Sequence, residues 1–217
     1  MDKPIETFWD IHLRDLKIKL EKNGFDTYLV ESAEDAKTVV LEEILPASKA
    51  RTVSWGGSET FVATGLYEIL RDSEEFESLD AWDDSLSNDE RYELRRQALL
   101  VDCYFSGTNA VTEEGHLVNL DMIGNRTGAL VFGPRNVVVF ISRNKVVPDL
   151  SRAMDRIKEF AAPTNAMRLD MKTPCVKTGY CMDCNSPQRI CNVWTVTEKS
   201  FPKGRIKVVL INEDLGL

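Results

Sequence analysis

Cys175, Cys181, Cys184 and Cys191 are four of the chain's five cysteines, set in the stretch TPCVKTGYCMDCNSPQRICN, residues 173–192. A C-x2-C knuckle turns two sulfurs toward one point, and the outer pair can close a four-sulfur shell, with Gly179 and Pro187 supplying the turns. Four thiolates suit zinc or an iron–sulfur cluster. The C-x5-C-x2-C-x6-C spacing matches neither the ferredoxin run nor the paired knuckles of a zinc ribbon, so the metal stays open. The alternative is that some thiols hold no ligand, or that the C-x2-C pair cycles to a disulfide. Cys103 stands apart on a predicted strand and reads as a small buried apolar residue.

Two further segments carry convergent polar groups. In SWGGSET, residues 54–60, Gly56 and Gly57 let the backbone bend after a strand, and Ser58 and Thr60 add hydroxyls at the start of a helix. That arrangement can cradle a phosphate or carboxylate, and it can equally be a plain strand–helix turn with an N-cap. Between residues 106 and 134, Thr108, Asn109, Thr112, Glu113, Glu114, Asn119, Asp121, Asn125 and Arg126 gather among glycines. Here Glu114 can act as base or nucleophile, and Arg126 can clamp a carboxylate with two parallel hydrogen bonds. The competing account makes the glutamates solvated hairpin residues and Arg126 half of a structural ion pair. His12 and His116 have no partner at nucleophile–base spacing, so a catalytic triad is not supported.

The elements that must position these groups follow from periodicity. Trp9, Leu13, Leu16 and Leu20 form one helical face ending at Asn23-Gly24, and a strand follows over residues 25–30. Ser32 with Asp35 caps a helix predicted to end at Pro46, residues 51–55 form a second strand, and ETFVATGLYEIL reads as one helix. A short strand at 76–79, a Ser87–Glu90 capping box with a helix over 88–99, and a strand at 101–105 come next. From Gly107 the pattern predicts β-rich pieces (AVT, HLVNL, GALVF, VVVFI) between turn signals. A last long helix carries Leu150, Ala153, Met154, Ile157, Phe160 and Ala161 as its apolar stripe, with Pro148 in its first turn. RIKVVLIN, residues 205–212, is apolar on both faces apart from Lys207, through Ile206, Val208, Val209, Leu210 and Ile211, as a strand covered on both sides requires. The alternation predicts an α/β fold: one domain over residues 1–217, a mostly parallel sheet flanked by helices, a β-rich insert, and a cysteine-bearing lobe at about 173–192.

The bulk numbers exclude several functions. With 27 Lys and Arg against 35 Asp and Glu, the formal charge of −8 repels a phosphate backbone, so nucleic acid is not an expected partner. No apolar run reaches the roughly 20 residues of a membrane span, and the charged N-terminal stretch has no signal-peptide core. A cytoplasmic location is expected, where thiols stay reduced and clustered cysteines favour metal or redox chemistry.

At GTNAVTEEGHLVNLD, GNRTGALVFGP, RNKVV and PCVKTGYCMDCNSPQRICN the chain resembles the lactate-utilization (LUD) domain family, in particular stand-alone members with a C-terminal cysteine motif. SWGGSET matches an earlier block, so the resemblance spans nearly the whole chain. It implies a fold similar to sugar-phosphate isomerases and CoA transferases, and association with lactate oxidation systems whose partner subunits carry iron–sulfur clusters. In the transferase relatives a glutamate near a glycine turn attacks a thioester; Glu114 before Gly115 is the nearest counterpart, in a motif that departs from theirs. Three readings follow. The first is a redox-associated component of lactate or organic-acid utilization with a four-cysteine metal or iron–sulfur site, working with iron–sulfur or oxidoreductase partner subunits. The second is a binding module or transferase- or isomerase-like enzyme for a small anionic metabolite, in which Gly56, Gly57 and Ser58 cradle the anion. The third is a zinc-stapled, non-catalytic assembly protein. The sequence leaves open whether the chain is catalytic alone, and its oligomeric state.

Overall fold

A computed structural model describes residues 3–217. Its organising element is the six-stranded, all-parallel sheet. The strands are β1 (Asp26–Val30), β2 (Thr52–Trp55), β3 (Glu77–Leu79), β4 (Cys103–Gly107), β7 (Asn136–Ser142) and β10 (Ile206–Ile211), in the spatial order β1-β10-β7-β4-β2-β3. Every neighbouring pair is parallel. Because side chains alternate along a strand, each central strand feeds two cores. Ile206, Val208 and Leu210 of β10, with Val137, Val139 and Ile141 of β7, pack on one face beneath α1 (Pro4–Lys22) through Leu13, Leu16 and Leu20. Val209 and Ile211, with Val138 and Phe140, pack on the other against Ala36, Val40, Ile44, Phe61 and Leu70. Burying each such side chain contributes at most ~1.5–3 kcal/mol, which is why the apolar stretch 206–211 is an inner strand, between β1 and β7, and not an edge.

The second face is covered by helices whose ends and kinks have local causes. Ser32 caps α2 (Ala33–Val39) by accepting from Asp35 N at 3.1 Å. The helix does not stop at Pro46: a π-helical turn at Val40–Ile44 leads into α3 (Leu45–Ser48), which contains the proline. The same device recurs at Ile157–Ala161, between α8 (Leu150–Arg156) and α9 (Ala162–Arg168), ahead of Pro163. A proline ring crowds the carbonyl four residues back and donates no N–H, and in both cases that carbonyl lies inside the widened turn. The predicted single helix after β2 is instead two, α4 (Glu59–Ala63) and α5 (Leu66–Arg71), split at Gly65, which adopts the left-handed φ of +72°. α6 (Asn88–Gln97) opens with the expected capping box, Ser87 Oγ accepting from Glu90 N while Glu90 accepts from Ser87 N.

The insert forms a second sheet of four strands, β8 (Val146–Val147), β5 (Ala110–Thr112), β6 (Leu117–Asp121) and β9 (Val193–Thr197), in that order. α8 and the turn after it cover it through Ala153 and Ile157, whereas Met154 and Phe160 of the predicted stripe are exposed. One predicted strand is a helix: GALVF belongs to α7 (Asn125–Val131). Leu-Val favours a strand intrinsically, but Gly124 in the left-handed conformation starts a helix that Asp121 then anchors through Thr127 N at 2.9 Å. VVVFI, too, belongs to the main sheet as β7 rather than to the insert. The chain passes from one sheet to the other at Gly107-Thr108-Asn109, directly after β4.

Candidate functional site

In an open parallel sheet, ligands bind beyond the carboxyl ends of the strands, where the loops diverge. β2, β3, β4 and β7 deliver Gly57-Ser58, Ala81-Trp82, Gly107-Thr108-Asn109 and Lys145 to that edge, and these residues line a cleft of about 1040 Å³. Two glycines permit the close approaches behind it. A Cβ on Gly56 would stand 2.6 Å from the Tyr104 hydroxyl and 3.1 Å from Arg126 Cγ, and one on Gly107 would stand 2.5 Å from Ser58 Oγ. Ser58 accepts from Phe61 N at 3.2 Å, so the expected N-cap is present. α6 forms the opposite wall through Arg91, Tyr92 and Arg95.

The joint between the two sheets is held by Arg126. Its guanidinium pairs with Asp121 at 2.7 Å, both side chains being 9% exposed. It also donates to Gly107 O at 3.0 Å, to Asn109 Oδ1 at 2.8 Å, and to Asn119 Oδ1. Asn109 Oδ1 additionally accepts from Leu120 N at 2.9 Å, and Thr108 donates to the carbonyls of Ala110 and Val118. The Arg126 guanidinium is fully engaged within this network, whereas Asn119 Nδ2 is buried without a partner among the described residues. Arg126 is therefore half of a structural ion pair, not a clamp open to a ligand carboxylate, and Thr108 and Asn109 shape the cleft by bonding backbone.

Other charges of the cleft are also paired. Arg91 meets Asp84 at 3.1 Å and Arg168 meets Glu59 at 3.0 Å, while Glu68 and Asp89 lie on the exposed rim. Arg95 and Lys145 are different. Among the described residues neither has an ion-pair partner within 4.0 Å. Lys145, 5% exposed, makes a 2.6 Å hydrogen bond to Thr60 Oγ1. Burial, aided by the charges of Arg156 and Arg126 and opposed by Glu59, pushes its amine down to about 7. Nothing in the local sequence marks Lys145 except its place right after an apolar strand; its burial is a product of tertiary packing. Tyr104, buried beneath Gly56, has its phenol pushed up by burial and stays neutral.

Asn125 and Arg126 line the cleft, as do Gly57 and Ser58; Thr60 and Gly56 stand behind it. Glu114 does not reach it. That side chain is on the β5–β6 turn, 68% exposed and 3.7 Å from Lys19, while the turn backbone accepts from Asn23 Nδ2 at 2.8 Å. His12 stacks on Phe8 and His116 precedes β6, both outside the cleft lining.

The four cysteines of 173–192, all free thiols, line one small cavity of about 20 Å³ that shares Ile190 with the cleft. Asp183 N donates to Cys181 Sγ at 3.4 Å, and Arg189 ties Cys184 O and Cys191 O together at 2.6 and 2.9 Å. Yet among the described residues no three His, Cys, Asp or Glu side chains are grouped as a ligand set. The thiols face one space without forming a closed shell. Cys103 is fully buried in the main core, where burial pushes its thiol up to about 12.

These features define an α/β protein with a cleft at the carboxyl edge of a parallel sheet and a cysteine lobe on its flank. The chain belongs to the LUD domain family, whose model matches residues 13–211. Membership supports a role associated with lactate utilization. A crystal structure of a DUF162 family protein from Deinococcus radiodurans is similar over 94% of this chain and 98% of that one, with 14% identity and a TM-score of 0.50. At that identity the likeness bears on the fold alone. No curated protein matches. Among the described residues no helix is long and apolar enough to cross a membrane.

Removing one partner of a buried pair strands the other charge, so Asp121→Ala is expected to cost about 3–5 kcal/mol. Urea unfolding measures it, and a loss below about 1 kcal/mol would show that Arg126 does not depend on Asp121.

Proposed function

We propose that the chain acts in organic-acid utilization by binding a small carboxylate metabolite in the cleft at the carboxyl edge of the sheet. The carrying observation is that the only two basic side chains of the cleft lining without an acidic partner among the described residues, Arg95 and Lys145, face the same space. Every buried acid there is already neutralised, so an incoming carboxylate supplies the missing counter-charge. The unpaired acids on the exposed rim are screened by solvent and oppose it weakly. Oxidoreductase or iron–sulfur subunits are the partners this reading calls for, since the chain's own groups in the cleft do not store electrons.

The experiment is a thermal shift with L-lactate and pyruvate, using lactamide as the uncharged control. A true ligand at roughly 100 times its Kd stabilises by about 2.7 kcal/mol. The acids are expected to raise Tm and lactamide is not, and Arg95→Gln removes most of the shift. No shift with either acid would sink the proposal.

The cysteine cavity favours a second, compatible component. Four free thiols around about 20 Å³, with an N–H already directed at Cys181 Sγ, suit one zinc ion held by Cys175, Cys181, Cys184 and Cys191. An iron–sulfur cluster would have to open that space. Such an ion would staple the irregular loop from Thr173 to Asn192 and fix the wall at Ile190. Elemental analysis after anaerobic purification is expected to give one zinc per chain, lost in Cys184→Ser together with thermal stability. Iron with inorganic sulfide would replace zinc by a cluster; no bound metal would remove the centre.

A further inference from the structure

Lys145 closes the short turn Arg143–Lys145 that follows β7, which delivers its side chain to the carboxyl edge of the sheet. Two lysines of the chain are buried, and they differ in kind. Lys207 Nζ has two acceptors, Asn136 Oδ1 at 3.0 Å and Gly204 O at 2.7 Å, and is not part of the cleft lining. Lys145 belongs to the cleft lining, and its Nζ has a single hydrogen-bond partner, the hydroxyl of Thr60. Thr60 Oγ1 in turn donates to Leu215 O at 3.3 Å, so its lone pairs face the amine and it fixes the direction of Nζ. A structural ammonium would be expected to have a carboxylate or several carbonyls around it, because an uncompensated buried charge is costly. Here the charges that act on it most are two guanidinium groups, those of Arg156 and Arg126, and both disfavour the protonated form. The opposing carboxylate, Glu59, is itself paired with Arg168. A desolvated amine of this kind keeps its lone pair near neutral pH and is a nucleophile toward carbonyl carbon.

We propose that Lys145 forms an imine with the carbonyl group of a small oxo acid held in the cleft. The inference deepens the carboxylate-binding reading above and rests on it: Arg95 answers the carboxylate and Lys145 the carbonyl beside it. In the step, the Lys145 nitrogen lone pair forms a bond to the carbonyl carbon while the C=O π pair moves to oxygen. A proton passes from nitrogen to that oxygen, and a second proton lets it leave as water with formation of C=N. One amine and one carbonyl compound give one imine and one water, and nothing is oxidised or reduced. Thr60 touches the amine and acts as a positioning residue.

The test uses the full chain with pyruvate as probe and sodium cyanoborohydride to reduce any imine to a stable secondary amine, with lactate, which has no carbonyl, as control. Peptide mass mapping is expected to place the adduct on Lys145 at least about tenfold faster than on exposed lysines at pH 7, because an ordinary lysine at about 10.4 is almost wholly protonated there. Labelling of Lys145 should rise through about pH 7, and Thr60→Val should shift that rise. Lys145→Met, shown to be folded by its melting curve, is expected to lose the adduct. The variant should also lose the stability that the wild type gains between about pH 7 and 10. In that window the unfolded chain binds the Lys145 proton and the folded chain does not, so wild-type stability climbs with pH. If pyruvate raises Tm but Lys145 labels no faster than exposed lysines, the imine is wrong and the binding reading survives. If pyruvate neither stabilises nor labels, both fall.

Discussion

The buried pair of Arg126 and Asp121 is the interaction on which the rest of the site depends. Asp121 ends a strand of the small sheet, Gly107 ends a strand of the large one, and the Arg126 guanidinium bonds both. It also holds Asn109 in the crossing between the sheets, and Asp121 anchors the helix that carries Arg126. Charge is tolerated there because each N–H of the guanidinium meets an oxygen, and the return for the desolvation is geometric. With the two sheets fixed at that joint, the loops after β2, β4 and β7 have fixed mouths, and a cleft exists between them and α6. The same commitment leaves the Arg126 guanidinium no free N–H to offer the cleft.

How much of this was legible in the sequence depends on whether the deciding contact is local. The two-faced apolar pattern of residues 206–211, the Ser32 and Ser87 caps, and the parallel order of strand and helix are local, and the fold class follows from them. α7 was not legible as a helix, since Leu-Val points to a strand and the opposing anchor is a carboxylate on another element. Pro46 reads as a helix stop, because a widened turn that absorbs a proline leaves no signal in hydrophobic spacing. Composition singles out Asn109, Asn125 and Arg126, and all three line the cleft, although for Arg126 the structural-pair alternative is the one the contacts support. Lys145 was missed altogether: its neighbours are polar on one side and apolar on the other, and only the packing of Thr60, Arg156 and Arg126 around it makes it unusual.

The cysteine lobe and the cleft are adjacent through Ile190 and the helical segment at Ala161-Ala162, so order in one bears on the shape of the other. The C-x5-C-x2-C-x6-C spacing suggests that the four thiols converge; they line one small cavity but are not grouped as a ligand set among the described residues. What spacing does not encode is how the thiols are arranged around that space. The lobe's contacts, through Asp183, Arg189 and Lys158, order the loop.

The central claim is that the carboxyl edge of the parallel sheet receives the ligand. Amide hydrogen exchange of the full chain, with and without saturating pyruvate, tests it most directly. The account predicts slowed exchange confined to residues 56–60, 107–109 and 142–146, with the wall at 88–97 following. Protection elsewhere, such as the Glu113–Gly115 turn, with these segments unchanged would contradict it.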